Sequence, residues 1–461
     1  MAMNKLTSFK ILNPYNQKLL SDISFQTIKE YEHAIEKLDQ SKLLKNKLPS
    51  YERALILKNI SHNIKLNSEK MATQISKEMG KPIKDSLIEV ERAVLTFQLA
   101  SEEVLRIKGE TIPVDINTAL TDYKCFNEFF PLGIVYCITP FNFPINLAAH
   151  KLAPAIAAGN AVLFKPHPQT YLSSKMLYQL ILESGLPQSH IQLIFPHPDD
   201  YSLICRDQRI NAISFTGGFK SANSISRTAG IKKLLFELGS NDVLIVESME
   251  NFDHAIETMI QQRIGLAGQR CNGAKRIFIN KNFYPLYKKV LLEKISKIQP
   301  ANPLLKSTFL GPLVTVEASI HIENKIKESL LHSGKILIQG KRNGAMLSPW
   351  VIEAPKLSSP FFQEEIFGPI VTLFPYDHIE NLLILLRKES TMGLQAGIYT
   401  DSVKIMKMAY EYLNVGSVLI NQGPGMRLDH LPFGGQLQSG QSKEGVFYAI
   451  REMSTIKSLF F

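Results

Sequence analysis

Three polar groups in the sequence form a set suited to covalent acyl chemistry. Cys271 follows a glycine-containing turn at residues 267–270, Asn142 lies on a proline-flanked turn, and Glu237 precedes a glycine. A thiol that attacks a carbonyl, an amide that stabilises the oxyanion and a carboxylate that accepts a proton are the parts this chemistry requires. Because a lone cysteine is more often a small buried apolar residue, the interpretation depends on the three groups together.

Length and composition describe a globular chain with more than one ordinary core. Of the 461 residues, 45% are hydrophobic and 20% are charged, so two or three domains are expected. The sequence contains no apolar run long enough to span a membrane and no signal-peptide core. We therefore expect a cytoplasmic protein with no membrane partner.

Neither metal nor nucleic acid is an expected ligand. The four cysteines (Cys125, Cys137, Cys205 and Cys271) are widely spaced without a CxxC pair, and the 11 histidines show no ligand spacing. The net charge of +10 comes from Lys and Arg residues interleaved with acidic ones, and the locally basic residues 42–47 fit a solvated helix face. Such a charge would also steer anionic cofactors and substrates toward the protein.

The elements that must position the polar groups change character along the chain. Residues 26–106 repeat apolar side chains at three- and four-residue spacing, which predicts helices. The middle segment alternates short apolar strands with helical patterns, which predicts a mostly parallel sheet with helices on its faces. The predicted strands are 134–138, 161–164, 191–195 and 212–215, and the predicted helices are 145–157, 170–184 and 219–229.

Polar turns follow three of these strands and begin at Thr139, Lys165 and Thr216. In parallel sheets, ligands gather at the carboxyl ends of the strands. The pair Gly217-Gly218, ahead of a predicted helix, could present backbone N–H groups to a phosphate, with a plain turn as the alternative because the GxGxxG fingerprint is absent. Further strands are predicted at 276–279, 335–338, 370–374, 396–399, 416–420 and 455–461.

Together these segments resemble the aldehyde dehydrogenase superfamily, over essentially the whole chain from Asn13 onward. Within it, residues 149–154, 393–397 and 427–435 are similar to the branch of lactaldehyde and phosphonoacetaldehyde dehydrogenases. The resemblance implies an α/β fold with a Rossmann-like cofactor domain, a second α/β catalytic domain and a small β oligomerisation element. The implied boundaries are 1–118 with 136–240 for the cofactor domain, 241–430 for the catalytic domain, and 119–135 with 431–461 for the oligomerisation element.

The resemblance also implies a role for each catalytic group. Cys271 is the nucleophile that attacks the aldehyde carbon, Asn142 donates to the oxyanion, and Glu237 is the base that activates the hydrolytic water. Lys151 and Glu444 match positions that assist proton transfer, although both could be surface ions. Because members that pass the acyl group to coenzyme A need no water-activating carboxylate, the presence of Glu237 favours hydrolysis to a free acid.

NAD or NADP is the implied cofactor. By the resemblance, Lys165 binds the adenosine ribose, Glu365 binds the nicotinamide ribose with Phe367 packed against that end, and Gly217 and Gly218 meet the pyrophosphate. The remaining cofactor-binding positions are Thr139, Pro140, Phe141 and His167. The chain has His167-Pro168 where the family often has a small residue followed by Glu. Because the carboxylate that would repel a 2′-phosphate is missing, NADP becomes an alternative to NAD.

Three more positions depart from the family pattern. Gly218 replaces a usual Ser, Ser240 replaces a usual Gly, and Gln441-Ser442-Lys443 replaces a more usual Gly-Arg pairing. None of these changes removes a catalytic group. They bear on the cofactor preference and on the rate.

Arg270 and Arg427 are the candidate substrate-binding residues, because either guanidinium could pair with a carboxylate or phosphonate. For Arg427, an interface or surface ion pair is the alternative. The expected substrate is a small aldehyde with a hydroxyl or anionic group. A coenzyme A-acylating semialdehyde dehydrogenase and a catalytically idle oligomeric scaffold are the alternative functions. A homodimer or homotetramer is expected, because the apolar C-terminal strand would otherwise be a free edge.

Overall fold

The structure is a computed structural model that describes residues 7–38, 47–332, 334–353 and 355–461. Of the predicted basic helix face at 42–47, only Lys47 lies within the described residues. A strand hairpin opens the described chain, with β1 (Ser8–Leu12) antiparallel to β2 (Leu19–Ser24). The helical pattern predicted over 26–106 is confirmed by α1 (Ile28–Lys37), α2 (Ser50–Leu66), α3 (Ser68–Met79) and α4 (Ile83–Glu103).

The start of α1 shows how the local sequence determines where a helix begins. The Thr27 side chain accepts a hydrogen bond from the Glu30 backbone N–H, and the Glu30 carboxylate accepts one from the Thr27 N–H at 2.7 Å. This reciprocal pair satisfies two backbone donors that the first turn of a helix leaves free. The helix therefore begins at Ile28.

A five-stranded, all-parallel sheet forms the first large layer, in the order β7-β6-β5-β8-β9. Its strands are β5 (Ile134–Ile138), β6 (Ala161–Lys165), β7 (Ile191–Leu193), β8 (Ile210–Thr216) and β9 (Lys233–Glu237). The connecting helices are α5 (Asn146–Ala157), α6 (Tyr171–Glu183), α7 (Tyr201–Arg206) and α8 (Phe219–Ala229). The chain builds outward from β5 first to one side and then to the other, so a topological switch point lies between β5 and β8.

Helices cover both faces of this sheet. Val135 and Cys137 of β5 pack into one hydrophobic cluster, and Ile134 and Tyr136 pack into a second one. Because successive side chains of a strand point to opposite faces, a strand between two helical layers is apolar at every position. This explains why β5 reads as an uninterrupted apolar run.

A seven-stranded sheet forms the second large layer, in the order β12-β15-β16-β11-β10-β18-β19, parallel except for β12. Its strands are β10 (Val243–Val246), β11 (Arg276–Asn280), β12 (Lys335–Ile338), β15 (Trp350–Glu353), β16 (Ile370–Tyr376), β18 (Gln395–Tyr399) and β19 (Ser417–Ile420). Its helices are α9 (Phe252–Arg263), α10 (Tyr284–Ile295), α11 (Val316–His332), α12 (Pro360–Gln363), α13 (Ile379–Glu389) and α14 (Val403–Tyr412).

Small sheets complete the fold. The short strands β13 (Arg342–Asn343), β14 (Met346–Leu347), β17 (Met392–Gly393) and β20 (Gln436–Leu437) form two pairs, β13 with β14 and β17 with β20. An antiparallel sheet joins β3 (Glu110–Ile112), β4 (Cys125–Pro131) and β21 (Ser454–Phe460), which follows α15 (Val446–Glu452). Among the described helices, none has the length and apolar character needed to cross a bilayer. The predicted α/β fold is confirmed.

Candidate active site

Cys271 lies on a strained turn between α9 and β11. Leu266 and Ala267 adopt left-handed backbone conformations, with φ of 60° and 53°, which side chains with a Cβ rarely adopt. A Cβ at Gly268, whose φ is also positive, would collide with the Gly368 carbonyl. Such strain persists only where the surrounding structure enforces it and is frequent at functional sites.

Cys271 is half-buried, and the environment of its thiol opposes ionisation. Desolvation by burial raises the pKa of Cys271 to about 11, while the positive charges of Lys275 and Arg427 act in the opposite direction. Because the thiolate is the reactive species, this thiol needs a base or a change of environment to react near neutral pH.

The loop that carries Asn142 meets the turn ahead of Cys271. Asn142 is buried and donates a hydrogen bond through Nδ2 to the Gln269 carbonyl at 3.0 Å. Gln269 is itself held by the Val314 N–H, which donates to Gln269 Oε1 at 3.0 Å. The predicted oxyanion donor and the predicted nucleophile, distant in sequence, are therefore brought together.

Glu237 ends β9 and is buried. Its Oε1 accepts a hydrogen bond from Ser442 Oγ at 3.3 Å, whereas its Oε2 is buried with no hydrogen-bond partner among the described residues. Burial and the neighbouring negative charge of Glu444 raise the pKa of Glu237 well above its usual range, although Lys151 and Arg427 oppose them. Once ionised, a carboxylate with a raised pKa is a stronger base than an ordinary one, and an oxygen without a hydrogen-bond partner among the described residues can accept the proton.

Glu444 lies in a different environment, between two cations. Its Oε1 is 3.3 Å from Lys151 Nζ, and its Oε2 accepts a hydrogen bond from Arg427 Nη2 at 2.8 Å. Lys151 and Glu444 are both buried, so the alternative that they are surface ions is wrong. Arg427 also lies 3.8 Å from Asp429 and 4.0 Å from the Phe433 ring. It therefore forms ion pairs, as the alternative expected, but these pairs are buried and do not lie on the surface. Its role toward a substrate stays a prediction.

Glu365, predicted to bind the nicotinamide ribose, is engaged with groups behind the nucleophile. Its Oε1 lies 2.9 Å from Lys275 Nζ and accepts a hydrogen bond from the Ser240 N–H at 3.2 Å. Lys275 Nζ and Ser240 Oγ both donate to the Cys271 carbonyl. Lys275, four residues after the nucleophile, was not among the predicted site residues. Because Asn272 and Arg276 nearby are also polar, the local sequence does not mark it.

A cavity of about 660 Å³ opens at the carboxyl ends of β5, β6 and β8, at the topological switch point. Seven of the predicted cofactor-binding residues line it: Thr139, Pro140, Phe141, Lys165, His167, Gly217 and Gly218. Phe367 packs edge-on against Phe141, with ring centroids 6.0 Å apart. The cavity also includes Asp199 and Tyr201, which the sequence analysis missed.

Hydroxyl groups and a helix N-terminus belong to the lining of this cavity. The hydroxyls of Tyr136, Thr139 and Thr216 are buried, and none has a hydrogen-bond partner among the described residues. Gly218 caps the N-terminus of α8, and a Cβ there would meet open space. A helix N-terminus attracts anions through its free N–H groups and its dipole, so these residues fit the sugar hydroxyls and pyrophosphate of a dinucleotide.

Lys165 and His167 differ in charge. The Lys165 ammonium lies 4.3 Å from the centroid of the Tyr201 ring, and burial lowers the pKa of Lys165 to about 8. Burial and the Lys165 charge lower the pKa of His167 to about 3, so His167 is neutral at pH 7. Lys165 therefore supplies the positive charge of this pair.

Arg270, the residue ahead of Cys271, keeps part of its guanidinium free. Its guanidinium carbon lies 5.9 Å from the centroid of the Phe143 ring, and its Nε is buried without a hydrogen-bond partner among the described residues. Burial lowers the pKa of Arg270, while Asp85 opposes this and Arg92 adds to it.

In the described part of the chain, no group of three or more His, Cys, Asp or Glu side chains could hold a metal ion.

Comparisons with known proteins agree with this geometry. The model of the Aldehyde dehydrogenase family matches residues 2–459. The chain is 37% identical to the sulfoacetaldehyde dehydrogenase of Neptuniibacter caesariensis, over 98% of this chain and 99% of that protein. It is 33% identical to the lactaldehyde dehydrogenase of Methanococcus vannielii, over 97% of this chain and 96% of that protein.

A solved structure has the same fold along its whole length. It is the glyceraldehyde-3-phosphate dehydrogenase of Methanocaldococcus jannaschii complexed with NADP, with a TM-score of 0.93 and 31% identity. The match covers 100% of both chains.

Proposed function

Because the chain belongs to the aldehyde dehydrogenase family, it is an NAD(P)-dependent oxidoreductase, and we propose that it oxidises a small anionic aldehyde to the carboxylic acid at Cys271. The proposal rests on the contact of the Asn142 amide with the turn ahead of Cys271, and on the buried Glu237, whose Oε2 has no hydrogen-bond partner among the described residues. The charge of Arg427 acts on both Cys271 and Glu237. The adjoining cavity supports cofactor binding, because its lining includes a helix N-terminus and hydroxyls that have no hydrogen-bond partner among the described residues.

Each residue then has a defined step. The Cys271 thiol loses its proton to water and adds as the thiolate to the aldehyde carbon, while the Cys271 N–H and the second N–H of the Asn142 amide stabilise the oxyanion. A bound nicotinamide supplies the hydride acceptor. Glu237 takes a proton from a water molecule that attacks the resulting Cys271 thioester, which releases the acid and restores the thiol. The ion pair of Lys151 and Glu444 sets the electrostatic environment of the attacking water molecule.

Arg270 is the proposed anchor for the anionic group of the substrate. It adjoins the nucleophile and has no ion pair within 4 Å among the described residues, whereas Arg427 is paired with Glu444 at 2.8 Å. A planar guanidinium recognises sulfonate, carboxylate or phosphonate oxygens. The sulfoacetaldehyde dehydrogenase similarity supports an anionic aldehyde, and the lactaldehyde dehydrogenase similarity leaves a hydroxylated one as the second candidate.

A panel of matched aldehydes tests the proposal. Formation of NADH and NADPH is followed with sulfoacetaldehyde, phosphonoacetaldehyde, succinic semialdehyde, lactaldehyde and uncharged propanal. We expect kcat/KM for the best anionic aldehyde to exceed that for propanal by roughly tenfold or more, the value of one charge-assisted contact. Arg270→Met should remove that preference while propanal turnover persists, and Cys271→Ala should abolish turnover of every aldehyde. Equal kcat/KM for propanal and the anionic aldehydes would contradict the substrate assignment.

The reaction product separates the alternatives. Free acid without added coenzyme A supports hydrolysis, whereas a requirement for coenzyme A would identify the acylating dehydrogenase. Cofactor binding without turnover of any aldehyde would favour the idle scaffold. The names of the relatives describe dehydrogenases of small aldehydes and do not favour either alternative.

We also propose the roles of the domains, the oligomeric state and the location of the protein. We assign cofactor binding to residues 1–118 and 136–240, catalysis to 241–430, and oligomerisation to 119–135 and 431–461, as a homodimer or homotetramer. Support for the last comes from the edge strand β21, which exposes Ile456, Leu459 and Phe460. A cytoplasmic location agrees with a nucleophile that must stay a reduced thiol.

A further inference from the structure

Lys275 occupies a buried position directly behind the proposed nucleophile. Only 2% of its side chain is exposed. Its Nζ donates to the Cys271 carbonyl and to Ser240 Oγ at 3.2 Å, and it lies 2.9 Å from Glu365 Oε1. An ammonium this deeply buried is costly to desolvate, so all of its donors are directed to nearby acceptors.

Ser240 adds a second contact to the same carbonyl. Its Oγ donates to the Cys271 carbonyl, while its N–H donates to Glu365 Oε1 at 3.2 Å. A glycine at position 240 would leave the carbonyl with the Lys275 contact alone. Two donors on one carbonyl fix the peptide on the carboxyl side of Cys271 and so hold the backbone that carries the thiol.

The charges that face the Cys271 thiol come from several segments. Lys275 and Arg427 favour the thiolate, and Glu365 and Asp242 oppose it, with Lys275 the strongest of the charged groups. Arg270, the neighbour in sequence, also interacts with the thiol. Burial raises the pKa of Asp242 to about 7, so its negative charge is incomplete near neutral pH.

We propose that Lys275 is a positioning residue for Cys271, which holds the Cys271 carbonyl in place and puts a buried positive charge beside the thiolate. The inference rests on the proposed role of Cys271 as nucleophile. It predicts that removing the Lys275 charge makes the thiol harder to ionise, and that removing the Glu365 charge makes it easier.

The rate of Cys271 alkylation by iodoacetamide, measured from pH 6 to pH 10 on the full-length protein, tests this. Lys275→Met and Lys275→Gln should both slow alkylation roughly tenfold at pH 8 and displace the profile to higher pH by about one unit. Lys275→Arg should stay within roughly threefold of the wild type, because it keeps the charge. Glu365→Gln should speed alkylation several-fold at pH 8, which a general disturbance of the site would not do.

Two controls isolate the effect. Cys271→Ala measures the background from the other cysteines, and Lys281→Met removes an exposed lysine paired with Asp377 at 2.7 Å, which should leave the profile in place. A Lys275→Gln profile that superimposes on the wild type would overturn the inference. Should Lys275→Met not fold, Lys275→Gln and Glu365→Gln still decide it. If Cys271→Ala retained turnover, the proposed function would fail instead, independently of these alkylation profiles.

Discussion

Two carboxyl groups buried in the same part of the molecule, Glu237 and Glu444, have pKa values shifted in opposite directions. Burial raises the pKa of Glu237 well above its usual range, and the charge of Glu444 adds to this. Burial acts on Glu444 in the same direction, but the charges of Lys151, Arg427 and His150 overcome it and lower the pKa of Glu444 to about 2.

The difference lies in the distance to cations. Glu444 has one cation at each oxygen, 3.3 Å and 2.8 Å away. Among the described residues, the side-chain group that donates to Glu237 is the neutral hydroxyl of Ser442. An opposite charge at contact distance outweighs desolvation, while a hydroxyl does not. One carboxylate is therefore a fixed charge that organises the site, and the other can exchange a proton during turnover.

The largest expected effect comes from Glu237→Gln. The amide keeps the shape of the side chain but cannot accept a proton from water, so thioester hydrolysis should slow by roughly 10²–10⁴-fold. The first turnover should still release a burst of reduced cofactor, because thiol addition and hydride release precede hydrolysis. Stopped-flow measurement of the burst against the steady-state rate checks this.

The matched control for that experiment is Glu250→Gln, which changes an exposed glutamate outside the site. It should leave both the burst and the steady state unchanged. Loss of the burst in Glu237→Gln, with cofactor binding retained, would show that Glu237 acts before hydrolysis, as the base for the thiol. The comparison of the two carboxyl groups would then need a different division of roles.

The pH dependence of the unfolding free energy should distinguish Glu444 from Glu237. Glu444→Gln removes the carboxylate that pairs with Lys151 and Arg427 and should lower the unfolding free energy by about 3 kcal/mol. Since the folded pKa of Glu444 is about 2 and the unfolded value is about 4.5, the wild-type stabilisation is complete above about pH 4.5 and is lost as the pH falls toward 2. The cost of Glu444→Gln should therefore be constant from pH 5 to pH 8.

Glu237→Gln should show the opposite sign. A raised folded pKa contributes stability below the unfolded value and loses it as the pH rises, so ionised Glu237 destabilises the fold at alkaline pH. The neutral amide should therefore raise Tm at pH 8 and change it little near pH 4.5. Thermal unfolding of both variants at pH 5, 6.5 and 8 gives the comparison. Parallel pH responses would contradict the opposite environments.

Much of the fold follows from local patterns. The strand at 134–138 is a short apolar run between a glycine and a proline-containing turn, and β5 has these bounds in the structure. The polar turns at Thr139, Lys165 and Thr216 were expected at one sheet edge, and all three line one cavity. These features depend on neighbours in sequence and on the geometry common to parallel sheets, which is why the sequence is sufficient for them.

The electrostatics of the site depend on partners far apart in sequence. Lys151 reaches Glu444 across 293 positions, so the residues next to Glu444 carry no sign of the pairing. The sequence could not decide whether Lys151 and Glu444 assist proton transfer or are surface ions, because their burial depends on the packing of α5 against the loop ahead of α15. Lys275 was missed for a related reason, because its contact with the Cys271 carbonyl depends on the path of a turn rather than on a motif.

The smallest expected effect concerns Ser442, whose Oγ donates to Glu237 Oε1 at 3.3 Å. A hydrogen bond to the ionised form favours ionisation, so Ser442→Ala should raise the pKa of Glu237 further. One neutral donor is worth about 1 kcal/mol, which predicts roughly fivefold slower thioester hydrolysis at pH 7.

Because the defect lies in ionisation, the rate of Ser442→Ala should approach that of the wild type at higher pH. The pH profile of the steady-state rate checks this, with Ser458→Ala, which removes an exposed hydroxyl bonded to Asn127, as the control. A fivefold defect that persists unchanged to alkaline pH would mean that Ser442 orients the Glu237 carboxylate instead of assisting its ionisation. In that case the high pKa of Glu237 would follow from burial and the Glu444 charge without a contribution from this hydroxyl.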